Sequence, residues 1–329
     1  MASYAIFDEP YYLAQYPWVK SAIDAGVIKS GREHFEKFGQ AGGLTQVSRY
    51  FDENTYLAQN PDLAAFVRTA NNPNAPFASG LDHFIQFGYE QGRTRVSPDY
   101  DEDFYLKRYP KITPFVENGI FKSGFQHFVK FGANEGLYAN TFFEREYLQY
   151  HRDVAAAVQA RDFKTGGEHY RKFGQFEPNR TATFMGTSGN DIVTGFGVEN
   201  NVDILGVQVG IPDFPTRYES HGWDEFDTLI GGSGRDTFVL GDRYATKAGF
   251  VVRSFYEGPG FATIQNFTKG QDRIQFPLDF LDGYILFPIN NNRDLAIQNK
   301  AFDTLAVIEG GGNLSLNKLP IPTFDFLVG

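Results

Sequence analysis

Three aspartates occupy the same place in a glycine-rich pattern of nine residues. Gly231-Gly232-Ser233-Gly234-Arg235-Asp236-Thr237-Phe238-Val239 fits G-G-x-G-x-D-x-U-x, where U is a large apolar residue, at every defined position. The preceding segment, Gly222 to Ile230, keeps the first glycine, Asp227 at the sixth position and Leu229 at the eighth. Gly186 to Thr194 keeps Gly186, Gly189, Asp191 and Val193. A looser trace, Asn201-Val202-Asp203-Ile204-Leu205, retains only the D-x-U core. Carboxylates and turn carbonyls are hard oxygen donors, the chemistry of a calcium site. Calcium takes about six to eight such ligands, more than one turn supplies, so the turns must stack. The spacing implies the positioning element. Glycines let a tight turn adopt positive φ, and three residues then form a short strand whose apolar side chain points inward. Residues 222–239 are the one uninterrupted pair of such units, and the stretch Gly206 to His221 interrupts the series.

No catalytic constellation stands out. Glu33-His34 and Glu168-His169 do not form H-E-x-x-H, and neither a G-x-S-x-G elbow nor a phosphate loop occurs. The absence of cysteine rules out disulfides, thiolate metal sites and cysteine nucleophiles. The net charge of −10 opposes binding to a nucleic acid backbone and suits an encounter with cations. No run of 18 apolar residues predicts a membrane span, and Met1 to Tyr12 lacks the basic and apolar regions of a secretory signal.

The first half is a different material. Phe7-Asp8-Glu9, Phe51-Asp52-Glu53 and Tyr100-Asp101-Glu102 each lead to a Tyr-Leu pair, at Tyr12-Leu13, Tyr56-Leu57 and Tyr105-Leu106; Phe142-Phe143-Glu144 leads to Tyr147-Leu148. Each segment closes on a histidine (His34, His83, His127, His169) and a Phe-Gly step, with 42–49 residues between successive histidines. The pattern predicts three short helices per repeat. The acidic residue after the first aromatic caps the first helix. Asn60-Pro61-Asp62 opens a second helix that continues through Ala64 to Val67. Ser30/Glu33, Ser79/Asp82, Ser123/Gln126 and Thr165/Glu168 keep the spacing of a capping box for the third. Gly39, Gly88, Gly132 and Gly174 stand where a left-handed residue would end it. Because the histidines recur with the repeat, they are expected to be buried packing residues bonded to a neighbouring carbonyl rather than ligands.

These units resemble an aromatic-rich repeat of bacterial secreted and surface proteins, over about residues 7–177. The aspartate motif resembles the hemolysin-type, or RTX, calcium-binding proteins. That likeness runs through Ala262 to Ile274, where Asn266 replaces the usual Asp before Phe, and on to Asp303–Gly310. It implies calcium, with Asp236 and Asp227 as the best ligands, Gly231, Gly234 and Gly222 lending backbone carbonyls and Asp191 a second-rank ligand, together with a parallel β-roll and export by type I secretion without an N-terminal signal. The end, Asp325-Phe326-Leu327-Val328-Gly329, resembles such export signals except for its terminal glycine.

The expected fold is therefore α+β and multidomain. An all-α repeat array over 1–180 (units about 7–50, 51–99, 100–141 and 142–180) precedes a short RTX-like parallel β-roll with a β-rich cap over 181–329. The expected function is a secreted or cell-surface, non-enzymatic calcium-binding protein. Its repeats would serve as the interaction surface for a surface protein or polysaccharide. A carbohydrate-active or proteolytic enzyme with an acidic site, and a cytoplasmic scaffold, are the alternatives.

Overall fold

The computed structural model describes residues 2–210, 218–246, 249–277, 283–320 and 324–328. It is a mixed α and β structure, and the chain divides into two compact units. The first comprises Met1–Asn140 and Asp153–Glu168, and the second comprises Thr141–Arg152 and His169–Gly329. The fourth repeat is thus shared between them.

In the first unit each repeat opens with a helix: Glu9–Gln15, Glu53–Gln59 and Glu102–Arg108. Asp8, Asp52 and Asp101 cap them by accepting the amides of Tyr11, Thr55 and Phe104. The glutamate that follows does a second job. Glu9 accepts the amides of Gly31 and Arg32, Glu53 those of Gly80 and Leu81, and Glu102 those of Gly124 and Phe125. It therefore satisfies the open N-terminus of the third helix of its own repeat, where backbone donors lack intrahelical partners.

The third helices start as the capping spacing predicts. Ser30, Ser79, Ser123 and Thr165 accept the amides of Glu33, Asp82, Gln126 and Glu168. The return bond differs from the standard box, because it reaches the amide one residue before the cap, at Lys29, Ala78, Lys122 and Lys164. The ends differ more. Phe35–Gly39, Phe84–Gly88 and Phe128–Gly132 are π-helical turns. The left-handed glycines lie beyond them, at Gly43, Gly92 and Gly136. The expected helix-ending role of Gly39, Gly88, Gly132 and Gly174 is therefore replaced by another. A Cβ would stand 2.7 Å from the Tyr12 hydroxyl at Gly39, and 2.5 Å from the Tyr56 and Tyr147 hydroxyls at Gly88 and Gly174. At Gly132 it would collide with Tyr105.

Those tyrosines explain the histidines. Tyr12, Tyr56, Tyr105 and Tyr147 bond through their hydroxyls to Nδ1 of His34, His83, His127 and His169 at 2.8–3.0 Å. The partner is a hydroxyl, not the expected carbonyl. Burial lowers the pKa of His34, His83 and His127 and raises that of Tyr12, Tyr56 and Tyr105, which favours the neutral pair.

The second repeat departs from its neighbours. Helices Pro17–Asp24, Thr113–Glu117 and Arg152–Ala160 hold the middle position elsewhere, whereas here only the 3-10 turn Pro61–Leu63 forms. The helix expected through Val67 is absent. Its backbone groups pair across the Asn71–Pro76 insertion instead: Arg68 donates to the Phe77 carbonyl and Phe77 to that of Phe66.

In the second unit strands β1 (Ala182–Gly186), β2 (Ile192–Thr194), β3 (Asn201–Gln208), β4 (Glu225–Ile230) and β5 (Arg235–Val239) pass alternately to two sheets. A hairpin of β6 (Gly241–Thr246) and β7 (Gly249–Ser254) stands apart. The alternation resumes with β8 (Gly260–Gln265) and β9 (Arg273–Pro277). Then come β10 (Ile285–Ile289), β11 (Asp294–Gln298), β12 (Thr304–Ile308), β13 (Asn317–Pro320) and β14 (Phe324–Val328). One sheet runs β1-β3-β5-β9-β14-β13 and the other β10-β11-β12-β8-β4-β2. Strands β1, β3, β5 and β9 are mutually parallel, as are β2, β4, β8 and β12. Buried Val193, Leu229 and Ile264 line the second sheet, and Ile204, Phe238 and Ile274 the first. The C-terminal residues join the first sheet as β14, with Phe326 and Leu327 buried; Gly329 lies outside the described residues. No described helix is long and apolar enough to cross a membrane.

Candidate functional site

Asp227 lies on β4 and Asp236 on β5, strands of different sheets. The two best motif aspartates therefore serve opposite flanks of the second unit. Each finds its partner 36 residues away in sequence, one layer along its own sheet. The Asp191 amide donates to Asp227 Oδ1 at 2.8 Å, and the Asp236 amide to Asp272 Oδ1 at 2.9 Å. The interruption at Gly206–His221, of which residues 211–217 lie outside the described residues, leaves Asp191 directly beside Asp227. Asp203 of the looser trace is mid-strand on β3, facing Thr183 and Thr237, and not in a turn.

On the Asp227 flank the carboxylates meet protein donors. Tyr256 donates its hydroxyl to Asp227 Oδ2 at 2.6 Å. Thr187 gives Asp191 Oδ2 both its amide, at 2.6 Å, and its hydroxyl, at 2.8 Å. Glu225 is buried in the same group, and burial together with the Asp227 charge pushes its pKa up to about 8. Gly222 has φ +79°, and a Cβ there would meet the Tyr256 ring at 2.5 Å. Its clearest role is to admit that ring.

The Asp236 flank is different. Asp236 is 1% exposed, and neither carboxylate oxygen has a hydrogen-bond partner. Burial, then the Asp272 charge, pushes its pKa up to about 7; the nearby Gly232 amide pulls the other way, but not from bonding geometry. Asp272, by contrast, accepts the amides of Thr268 and Asp236. Gly231 lies over the Asp236 carboxylate, where a Cβ would be 2.7 Å from Oδ2. The adjacent layer brings a third unpartnered oxygen. Asn200 is 1% exposed; its Nδ2 donates to the Tyr170 hydroxyl and the Arg180 carbonyl, which fixes the amide and leaves Oδ1 unbonded. The Arg235 amide bonds the Asn200 carbonyl and the Gly234 amide bonds the Gly197 carbonyl, so the two turns are joined edge to edge. The carbonyls of Gly231 and Gly234 are not idle, since they accept the side-chain amides of Asn266 and Gln271.

Sequence reasoning missed Asp272 and Asn200 as partners. Asp272-Arg273-Ile274 does carry the D-x-U signal; Asn200 carries none. Among the described residues no group of three or more His, Asp or Glu is arranged to hold a metal. Any ion here would depend on amide and backbone oxygens, which calcium accepts. Elsewhere in this unit a cavity of about 280 Å³ takes in Glu146, Asp203, Asp242 and three tyrosines, and Tyr218 donates to Asp242 Oδ2 at 2.5 Å.

No protein-family model matches the chain, and no curated protein matches it. Among solved structures, a subunit of the Azotobacter vinelandii mannuronan C5-epimerase is similar at 19% identity over 39% of this chain and 70% of its own, with a TM-score of 0.20. A score of that size does not establish a common fold, so the functional reading rests on this chain's own geometry.

Proposed function

We propose that this protein is a calcium-binding β-roll protein, non-enzymatic and acting outside the cell or on its surface, with the N-terminal repeats as its interaction surface. The observation that carries the reading is the Asp236 carboxylate, buried and without a hydrogen-bonded donor. An ionised carboxylate removed from water needs a counter-charge or must take up a proton. Calcium supplies the charge. Asp236 would hold it with Asn200 Oδ1 and carbonyls of the two turns that meet there. The alternation of parallel strands between two sheets and the inward apolar residue two places after each aspartate are what a roll of this kind needs. Calcium is more abundant outside cells, so binding would couple completion of the fold to location.

The test is thermal unfolding with millimolar calcium or with chelator. At one hundred times Kd, binding to the native state alone adds about 2.7 kcal/mol. For a unit of this size that raises Tm by roughly 5–10 °C. Asp236→Asn is expected to remove the increment. Equal melting temperatures with and without calcium in the parent protein would remove the reading.

A further inference from the structure

The two flanks share an aspartate motif and differ in how its charge is met. On one side Asp236 has no bonded donor. On the other, Asp227 Oδ1 receives the Asp191 amide and Oδ2 receives the Tyr256 hydroxyl. We infer that the Asp191–Asp227 flank is closed by a proton donor in place of an ion: the Tyr256 hydroxyl occupies the position a cation would need, which confines cation binding to the Asp236 flank. This builds on the calcium reading above and divides it between two sites that the motif treats alike.

Three features argue that the hydroxyl is a built part of the flank. Tyr256 is fully buried, so no water competes for its bond to Asp227. Its backbone holds φ +62°, a left-handed conformation that is strained for a bulky residue and persists only where surroundings enforce it. Two glycines make the space. A Cβ on Gly206 would collide with both the Asp227 carboxylate and the Tyr256 hydroxyl, and one on Gly222 would strike the ring. The Tyr256 amide is also tied to the His221 carbonyl. Tyr256 arrives immediately after the β6–β7 hairpin, the segment that interrupts the nine-residue series between β5 and β8. The interruption therefore delivers the side chain that closes the flank. An ion entering there would have to displace a buried hydroxyl from a 2.6 Å bond.

Tyr256→Phe tests this, because it removes one oxygen and keeps the ring. Calcium stoichiometry by isothermal titration and melting temperature in chelator are the readouts. The parent protein should bind at the Asp236 flank alone, so Asp236→Asn abolishes the heat and Asp227→Asn leaves the stoichiometry unchanged. Tyr256→Phe takes the hydroxyl's proton away from Asp227 Oδ2. It should melt several degrees lower in chelator, and bind one calcium more than the parent, recovering part of the loss. A fall in stoichiometry in Asp227→Asn would overturn the inference, and so would Tyr256→Phe binding no additional ion. If the parent binds no calcium but Tyr256→Phe gains a site, the calcium reading fails while the hydroxyl's role stands.

Discussion

In the presence of chelator, the protein is expected to lose stability as pH rises from about 4 to about 7, on the order of 4 kcal/mol through Asp236 alone. The sign follows from where the proton binds more tightly. The Asp236 pKa lies near 7 in the fold against an ordinary aspartate value of 3.8, because burial and the Asp272 charge disfavour its ionised form. A raised folded pKa means the native state holds the proton more tightly than the unfolded chain does. Its contribution is therefore complete below the unfolded pKa and is lost as pH climbs through the folded one. A tenfold difference in proton affinity between the two states is about 1.4 kcal/mol. Glu225 adds the same sign up to about pH 8. The buried histidines act oppositely toward acid, but the difference between the parent and Asp236→Asn cancels the groups that do not interact with Asp236 and leaves Asp236 with its neighbour Asp272. Urea midpoints from pH 4 to 8 in chelator should thus show a parent curve that falls more steeply than that of Asp236→Asn. With calcium the order reverses at pH 8, because the ion requires the carboxylate. Parallel curves in chelator would show that Asp236 has a donor after all.

Gly88→Ala is expected to destabilise the first unit by about 3 kcal/mol or more, although it adds a single methyl group to a helical turn. The Cβ would lie 2.5 Å from the Tyr56 hydroxyl and 2.9 Å from the Phe84 ring. Tyr56 and Phe84 are both fully buried, so neither can swing into solvent. Overpacking of this kind costs about 1–3 kcal/mol. Displacing the hydroxyl also strands His83 Nδ1, which costs about 1–3 kcal/mol more. Tyr56→Phe separates the two contributions. Alone it loses the bond to His83; in the double variant it also relieves the collision. The pair should cost less than the sum of the single changes, by at least about 1 kcal/mol in a denaturation cycle. Strict additivity would mean that glycine is needed at this position for some reason other than the tyrosine.

The same contact shows where the sequence is legible and where it is not. Tyr56, His83 and Gly88 are each visible as recurring positions, and the capping step Ser79/Asp82 is visible as a local spacing. That a hydroxyl, an imidazole and a glycine meet is not, because the tyrosine lies 27 residues before its histidine. A glycine at a helix end has two explanations, a left-handed turn or a close approach, and the sequence pattern alone favours the first. The absent helix after Pro61 has a similar origin: propensity favoured it, and pairing across the insertion overrode it. In the second unit the D-x-U step of Asp191, Asp227 and Asp236 marked strands β2, β4 and β5. The flank each aspartate faces was hidden, since consecutive strands go to opposite sheets. The true neighbours of Asp227 and Asp236 are therefore 36 residues away rather than nine. Asp272 was within reach of that rule. Asn200 and Tyr256 were not, for they belong to no motif and matter only through what they touch.

One buried carboxylate, on this reading, awaits an ion, and crystals of the protein grown in calcium at pH 8 test that most directly. Ion density is expected within about 2.3–2.6 Å of the Asp236 carboxylate and Asn200 Oδ1, with none between Asp191 and Asp227. Density at the Asp227 flank, or an Asp236 carboxylate bonded only to protein or water, would contradict it.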